Sequence, residues 1–189
     1  MKITKTKLIV IINVIIFLIT SSYQNITLNL AVWPITSEYF QIYQFVTHMF
    51  VHSNFAHLFL NMIILIMFGE LIEKNLKNNF ILFYIICGVG ASIIQMIFGL
   101  GIPMVGASGA IFGIIVLYTI LKPNQKVYLL FLIPLKLKYA LFIILGLEIY
   151  QVFLPIFDNI GHYAHLGGAL TALLYFLISN KLNFKLVRK

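Results

Sequence analysis

Six runs of apolar residues, at 8–20, 55–71, 80–100, 108–121, 139–154 and 162–179, are separated by connections that carry basic residues only at every second one. This coupling of length and charge constrains the fold more than any motif. A helix crosses roughly 30 Å of hydrocarbon with about 20 mostly apolar residues, and Lys and Arg concentrate in cytoplasmic connections. Lys2, Lys5 and Lys7 precede the first run, and Lys74 and Lys77 follow the second. Lys122, Lys126, Lys136 and Lys138 follow the fourth, while Lys181, Lys185, Arg188 and Lys189 follow the sixth. These are all 13 basic residues, and six crossings put every one on the same side. Five or seven crossings would break the pattern. The expected fold is an all-α, polytopic membrane protein of six helices with both termini cytoplasmic, a single domain over residues 1–189.

Composition agrees with this. The chain is 61% hydrophobic and 10% charged, with mean hydropathy +1.02, whereas a soluble domain is roughly 45–50% apolar and about 25% charged. A soluble domain is excluded, and so is disorder, which needs low hydrophobicity. The net charge of +8 would suggest nucleic acid in a soluble protein; topology accounts for it here, and no nucleic-acid partner is expected. Cys87 is the single cysteine, so no intramolecular disulfide staples the fold. The N-terminal lysines and apolar run also fit a signal peptide, but Thr20-Ser21-Ser22 lacks a small-residue cleavage site and removal would leave an odd number of crossings. The connection 21–54 holds Trp33, Tyr39, Phe40, Tyr43 and Phe45 without a basic residue. Trp and Tyr favour the membrane–water interface, so a membrane-dipping outer loop is expected. Segment 127–135, broken at Pro134, reads as interfacial.

Polar side chains inside membrane segments are costly and mark function by default. His57 and Asn61 lie i, i+4 on one face of the second helix. Ser108 opens the fourth helix inside GASGAIFG, residues 106–113, and His165 lies in AHLGGALTA on the sixth. The fourth helix, 108–121, covers about 21 Å at 1.5 Å per residue, too short for the bilayer, and Lys122 fixes its cytoplasmic end. It therefore starts submerged, reached by irregular backbone through Gly99, Gly101, Pro103 and Gly106, which is tolerated only inside protein or along a wet cavity. Ser108 then has free N–H groups and a positive dipole end beside it, a setting for a nucleophile and a developing oxyanion. Ala164, Gly168 and Ala172 form a small-residue stripe that matches Gly109 and Gly113, and such stripes let helices approach closely. If they face each other, His165 reaches Ser108 as its base. The alternative is that the stripes only pack and His165 makes a structural interhelical hydrogen bond.

Asp158, the lone aspartate, lies in an outer connection, and Glu148 lies near the outer end of the fifth helix. Neither is placed by spacing to orient the imidazole, so a Ser–His dyad is expected. One aspartate excludes a paired-aspartate protease, and H-E-x-x-H is absent. His48, His52 and His57 suggest a metal only weakly, because the first two lie at the aqueous end and no carboxylate completes a set. No metal and no cofactor is expected. A channel or transporter finds no inverted repeat or ring of charges.

In this order, Thr47-His48-x-x-x-His52, His57-x-x-x-Asn61, Gly69-Glu70-x-x-Glu73, GASGAIFG and Ala164-His165-x-x-Gly168 resemble the rhomboid family of intramembrane serine proteases, over a core of about residues 39–173. The resemblance implies Ser108 as nucleophile, His165 as general base, and His57, Asn61 and the Ser108 backbone N–H as oxyanion donors. It further implies that the Phe112 ring packs on the histidine, with Gly106, Gly109 and Gly168 in support. A family Trp-Arg pair in the outer loop is replaced here by Tyr43-Gln44. The implied activity is cleavage of membrane-anchored proteins in or near their transmembrane helix, with an inactive binder of such helices as the alternative. Substrates are expected to pass the fifth helix and the connection 153–159, a candidate lid. The short chain favours a bacterial plasma membrane, with the site opening outward. Glu73 reads as a structural helix end. The sequence leaves the oligomeric state open.

Overall fold

The computed structural model describes residues 3–99, 101–129, 133–154 and 160–181. Helix makes up 76% of the structure, so the all-α class stands. The helices are α1 (Lys5–Ser22), α2 (Gln24–Leu30), α3 (Gln44–Thr47), α4 (Phe55–Leu76), α5 (Phe80–Phe98), α6 (Ser108–Leu121), α7 (Leu137–Phe153) and α8 (His162–Lys181). Each apolar run lies largely or wholly within one of the six longer helices. By length and composition, Lys5–Ser22 and the adjoining pair Phe55–Phe98 are long and apolar enough to cross a membrane, and Ser108–Leu121 is a shorter apolar helix. Large apolar side chains face outward along these helices, among them Leu18 on α1, Phe142 on α7 and Ile178 on α8. An exposed apolar belt of this extent marks a membrane protein.

The helix ends follow from local chemistry. Thr4 caps α1 by accepting from the Lys7 N–H, and the Glu73 carboxylate of α4 accepts from the Lys5 and Thr6 N–H groups at 2.8 and 2.9 Å. An acid at a helix N-terminus satisfies orphan donors and complements the dipole. The expectation that Glu73 is structural is therefore given a definite form: it ties α1 to α4. Gly69 permits that approach, since a Cβ there would meet Thr6 Cγ2 at 2.9 Å. Asn54 caps α4 by accepting from the His57 N–H at 2.9 Å, which fixes the start of the face that carries His57 and Asn61.

Helix α6 is the central element. It is apolar all round, and ten of its fourteen residues are buried, as expected for a helix surrounded by others. It packs against α8 and α5 through backbone-level contacts. A Cβ on Gly168 would collide with the Gly109 carbonyl, and one on Gly109 with Ala91 Cβ of α5. One on Gly113 would meet Cys87 Sγ of α5 at 2.5 Å. Helices α5 and α8 interlock in the same way, because a Cβ on Gly167 would meet Ile94 Cβ at 2.7 Å and one on Gly90 would strike Thr171 Oγ1. The small-residue contact expected between the fourth and sixth apolar segments thus includes a third helix.

Helices α2 and α3 and the 3₁₀ turn His48–Phe50 belong to the connection between α1 and α4. Its hub is Gln44, which is almost fully buried. The Gln44 amide donates to the carbonyls of Asn29 and Tyr39 at 3.1 and 2.9 Å. Its Oε1 accepts from the N–H groups of Trp33 and Gln41 at 3.3 and 3.1 Å. Segment 127–135, expected to be interfacial, falls mainly in an antiparallel hairpin of β1 (Lys126–Leu129) and β2 (Ile133–Lys136), with Lys126 opposite Lys136. Val127 packs on the core while Tyr128 faces outward.

Candidate active site

Ser108 is the first residue of α6, and its Oγ lies 2.9 Å from Nε2 of His165, one turn into α8. This is hydrogen-bond distance for a hydroxyl and an imidazole, across 57 residues of sequence. Close packing of α6 on α8, with Gly168 against the Gly109 carbonyl, brings the two side chains within reach. The Phe112 ring, one turn along α6, stacks on the His165 ring at 4.3 Å between centroids and 8° between planes. A second restraint acts at the start of α8, where Gln95 Oε1 of α5 accepts from the Ala164 N–H at 3.1 Å. The imidazole plane and the helix that carries it are both held.

The approach to Ser108 is equally constrained. Gly106 adopts φ +123°, a conformation L side chains rarely take. A Cβ there would also stand 2.7 Å from Cε1 and Nε2 of His57. Glycine is required at this position on both counts. The Gly106 N–H donates to the His48 carbonyl at 2.9 Å, and Val32 bridges Met104, so the 23–54 connection holds the irregular segment ahead of α6. His57 therefore lies against the backbone that leads into Ser108, with Nδ1 3.1 Å from Ser53 Oγ. Asn61 is buried one turn further along α4, its amide donating to the His57 carbonyl at 2.8 Å. One hydrogen of that amide is thus spoken for within the helix, and the other is available to a ligand.

One group that the sequence reasoning weighed and set aside joins the site. Glu148 of α7 places Oε1 3.0 Å from His165 Nδ1 and Oε2 2.6 Å from His162 Nδ1. The first contact is within ion-pair distance, but the carboxylate stands off the N–H axis and His165 Nδ1 has no aligned hydrogen bond. The spacing argument that left Glu148 away from the imidazole needs correcting. Leu137 and Ala140 are the buried residues of α7, and Glu148 comes eleven residues, about three turns, after Leu137. That puts it on the inward face. Asp158, and residues 155–159 of the connection named as a candidate lid, lie outside the described residues.

His48 and His52, placed at the aqueous end by the sequence, are instead buried in the 23–54 connection. Burial pushes both imidazoles down to about 3, with the neighbouring His57 adding to the effect at His52. They are neutral at physiological pH. The His52 and His57 rings meet edge to face at 4.9 Å, so this pair buttresses the α4 end of the site.

The sequence profile of the Rhomboid domain matches residues 39–181, and the chain belongs to the rhomboid family. It is 35% identical over 133 residues to RHOMBOID-like protein 6, mitochondrial, of Arabidopsis thaliana, covering 68% of this chain and 41% of that protein. It is 30% identical over 151 residues to RHOMBOID-like protein 12, mitochondrial, of the same plant, covering 70% and 45%. The plant's Inactive RHOMBOID-like protein 8 is 27% identical over 138 residues, covering 72% and 38%. The chain spans less than half the length of these curated relatives.

Proposed function

We propose that the chain is an intramembrane serine endopeptidase that cleaves membrane-anchored proteins in or near their transmembrane helix. The observation that carries this reading is the 2.9 Å contact between Ser108 Oγ and His165 Nε2 at the start of a buried helix. Ser108 attacks the scissile carbonyl while Nε2 takes its proton, and an acyl-enzyme forms that water hydrolyses. The Ser108 N–H, His57 and Asn61 stabilise the oxyanion, a contribution that removal of one donor in other hydrolases sets at about 3 kcal/mol. With the proton of the neutral ring on Nδ1, Glu148 faces the edge that becomes positive and stabilises the imidazolium. The acid extends the Ser–His dyad of the sequence reading to a third member. Phe112 holds the ring plane, and Gly106, Gly109 and Gly168 permit the backbone approaches. No cofactor enters the scheme.

Six crossings with both termini on the basic side follow from the lysine pattern, and the site then opens to the opposite face. Exposed Ile35, Tyr39 and Ile42 in the 23–54 connection suit contact with the outer leaflet. The substrate helix unwinds to expose its peptide bond, which favours Gly, Ser or Pro near the cut. Access runs past α7, the least enclosed of the long inner helices. Charge asymmetry gives an orientation and names no bilayer: two of the three relatives compared bear mitochondrial names, and none of them supports a bacterial plasma membrane.

A second reading, an inactive protein that holds transmembrane helices without cutting them, is favoured by the similarity to the inactive plant relative. Purified wild type and Ser108→Ala, incubated in detergent with a transmembrane substrate, separate the two. Cleavage by wild type alone supports the protease. Equal products from both proteins, or none from either, contradict it.

A further inference from the structure

The cluster around Glu148 does more than complete a hydrolytic site. Glu148 Oε2 lies 2.6 Å from His162 Nδ1 and Oε1 lies 3.0 Å from His165 Nδ1, and one donor atom from each of the three residues lies within 4.8 Å of the other two. His162 and His165 are i, i+3 on α8 and so share a face, and Glu148 meets that face from α7. His165 Nδ1 is buried with no aligned hydrogen bond, and Glu148 Oε1 is the carboxylate oxygen nearest to it. Phe112 and Gln95 hold the His165 ring and the α8 N-terminus from the other side. We propose that Glu148, His162 and His165 form a site for a divalent transition-metal ion, zinc above all, and that its occupation switches off the Ser108–His165 pair.

The donor set decides the metal class. Two imidazole nitrogens and one carboxylate suit zinc, whereas calcium and magnesium take all-oxygen sets. Zinc holds its ligands at about 2.0–2.2 Å, so donors in a tetrahedral site stand about 3.3 Å apart. The two carboxylate contacts, 2.6 and 3.0 Å, already lie inside that separation, and since 4.8 Å bounds the imidazole donors that pair closes by at most about 1.5 Å. Three protein ligands leave a fourth position for water.

The consequence for the base is a matter of tautomers, and it rests on the protease reading above. A neutral imidazole carries one proton. While Nε2 accepts from Ser108, that proton sits on Nδ1. A metal ion needs the Nδ1 lone pair, so the ring proton transfers to Nε2 by exchange with water. Nε2–H then donates to Ser108 Oγ and has no lone pair left for the serine proton. The bonds formed are two metal–nitrogen bonds and one metal–oxygen bond; the proton held between His162 Nδ1 and Glu148 Oε2 passes to water or to His162 Nε2, the ion sheds waters, and no electron is transferred. The same ion clips α7 to α8.

The test uses the full chain in detergent, with Co²⁺ as a visible-absorption probe displaced by Zn²⁺. One equivalent is expected to bind with the intense absorption of a four-coordinate site, and Ser108→Ala is expected to bind it equally. His162→Ala and Glu148→Gln are expected to weaken binding by at least about tenfold, as loss of even an outer-sphere partner does. Size exclusion and circular dichroism establish that each variant is folded, and His162→Gln replaces His162→Ala if it is not. Zinc is expected to inhibit substrate cleavage at the same midpoint as it binds, with reversal by EDTA. His162→Ala should move that midpoint by the same factor, measured against its own chelator-treated rate. Absence of an equimolar site, or wild-type affinity in the His162 variants, overturns the metal site. Binding without inhibition overturns the switch. Binding at these residues in a chain that cleaves nothing contradicts the protease reading while leaving the metal site intact.

Discussion

Helices α6 and α7 both contribute to one site, yet they are held in opposite ways. Helix α6 buries ten of its fourteen residues and meets α5 and α8 at backbone distance. Helix α7 buries two of its seventeen, Leu137 and Ala140, both near its first turn. Toward its other end, the polar contacts to α8 come from Glu148 alone among the described residues. The comparison teaches that the nucleophile and base are positioned by packing that admits no adjustment, whereas the acid is positioned by a charge contact that does. Two helices that must bring a hydroxyl within 2.9 Å of an imidazole need the first kind of interface. A helix that a substrate must pass is suited to the second.

The largest effect expected is at the packed interface. Gly168→Val drives a side chain into the Gly109 carbonyl and should cost more than about 4 kcal/mol, read as loss of folded protein or a collapse of Tm in detergent. A variant of wild-type Tm would show that the α6–α8 contact is looser than described. Next comes acid. The unfolded chain protonates His48 and His52 near pH 6.5, but the folded chain resists down to about 3. The native state therefore binds fewer protons in that window, and stability falls as pH drops through it. The slope is up to about 1.4 kcal/mol per pH unit for each histidine, and His48→Gln should reduce it. A flat Tm from pH 7 to 5 would contradict the burial of both rings.

At α7 the effects are smaller and of a different kind. Glu148→Gln keeps the shape but loses the charge beside His165, and should lower kcat by about tenfold, or about 1.4 kcal/mol, with KM little changed. An unchanged kcat would make Glu148 a tether rather than a participant. The smallest effect belongs to the exposed face: Phe142→Ala should shift stability by less than about 0.5 kcal/mol, and a larger shift in thermal unfolding would show that α7 is held more tightly than its burial suggests.

Much of the site was legible because its determinants are one-dimensional. The bounds of α6 follow from Ser108 after a glycine-rich segment and from Lys122, and the observed helix has those bounds. The facing of Ser108 and His165 follows from stripes of matching period. What was missed needs the rotation of a third element. Helix α5 is so uniformly apolar that its Cys87, Gly90 and Ala91 carry no sign of which face is inward. The burial of His48 and His52 was hidden because loops have no period from which a face can be read. The part played by Gln44 was hidden for the same reason: a neutral amide with two donors and an acceptor serves four backbone partners as well as a charged group would. Glu148 was hidden in a similar way: the spacing Leu137, Ala140, Glu148 describes one helical face, but only the burial of the first two marks that face as inward.

The central claim is that Ser108 is a nucleophile made reactive by His165. A fluorophosphonate probe, reacted with the folded chain in detergent and mapped by mass spectrometry, reads this directly. The account predicts one label per chain, on Ser108, abolished in His165→Ala. Absence of labelling, a label on another residue, or undiminished labelling of Ser108 without His165 would contradict it.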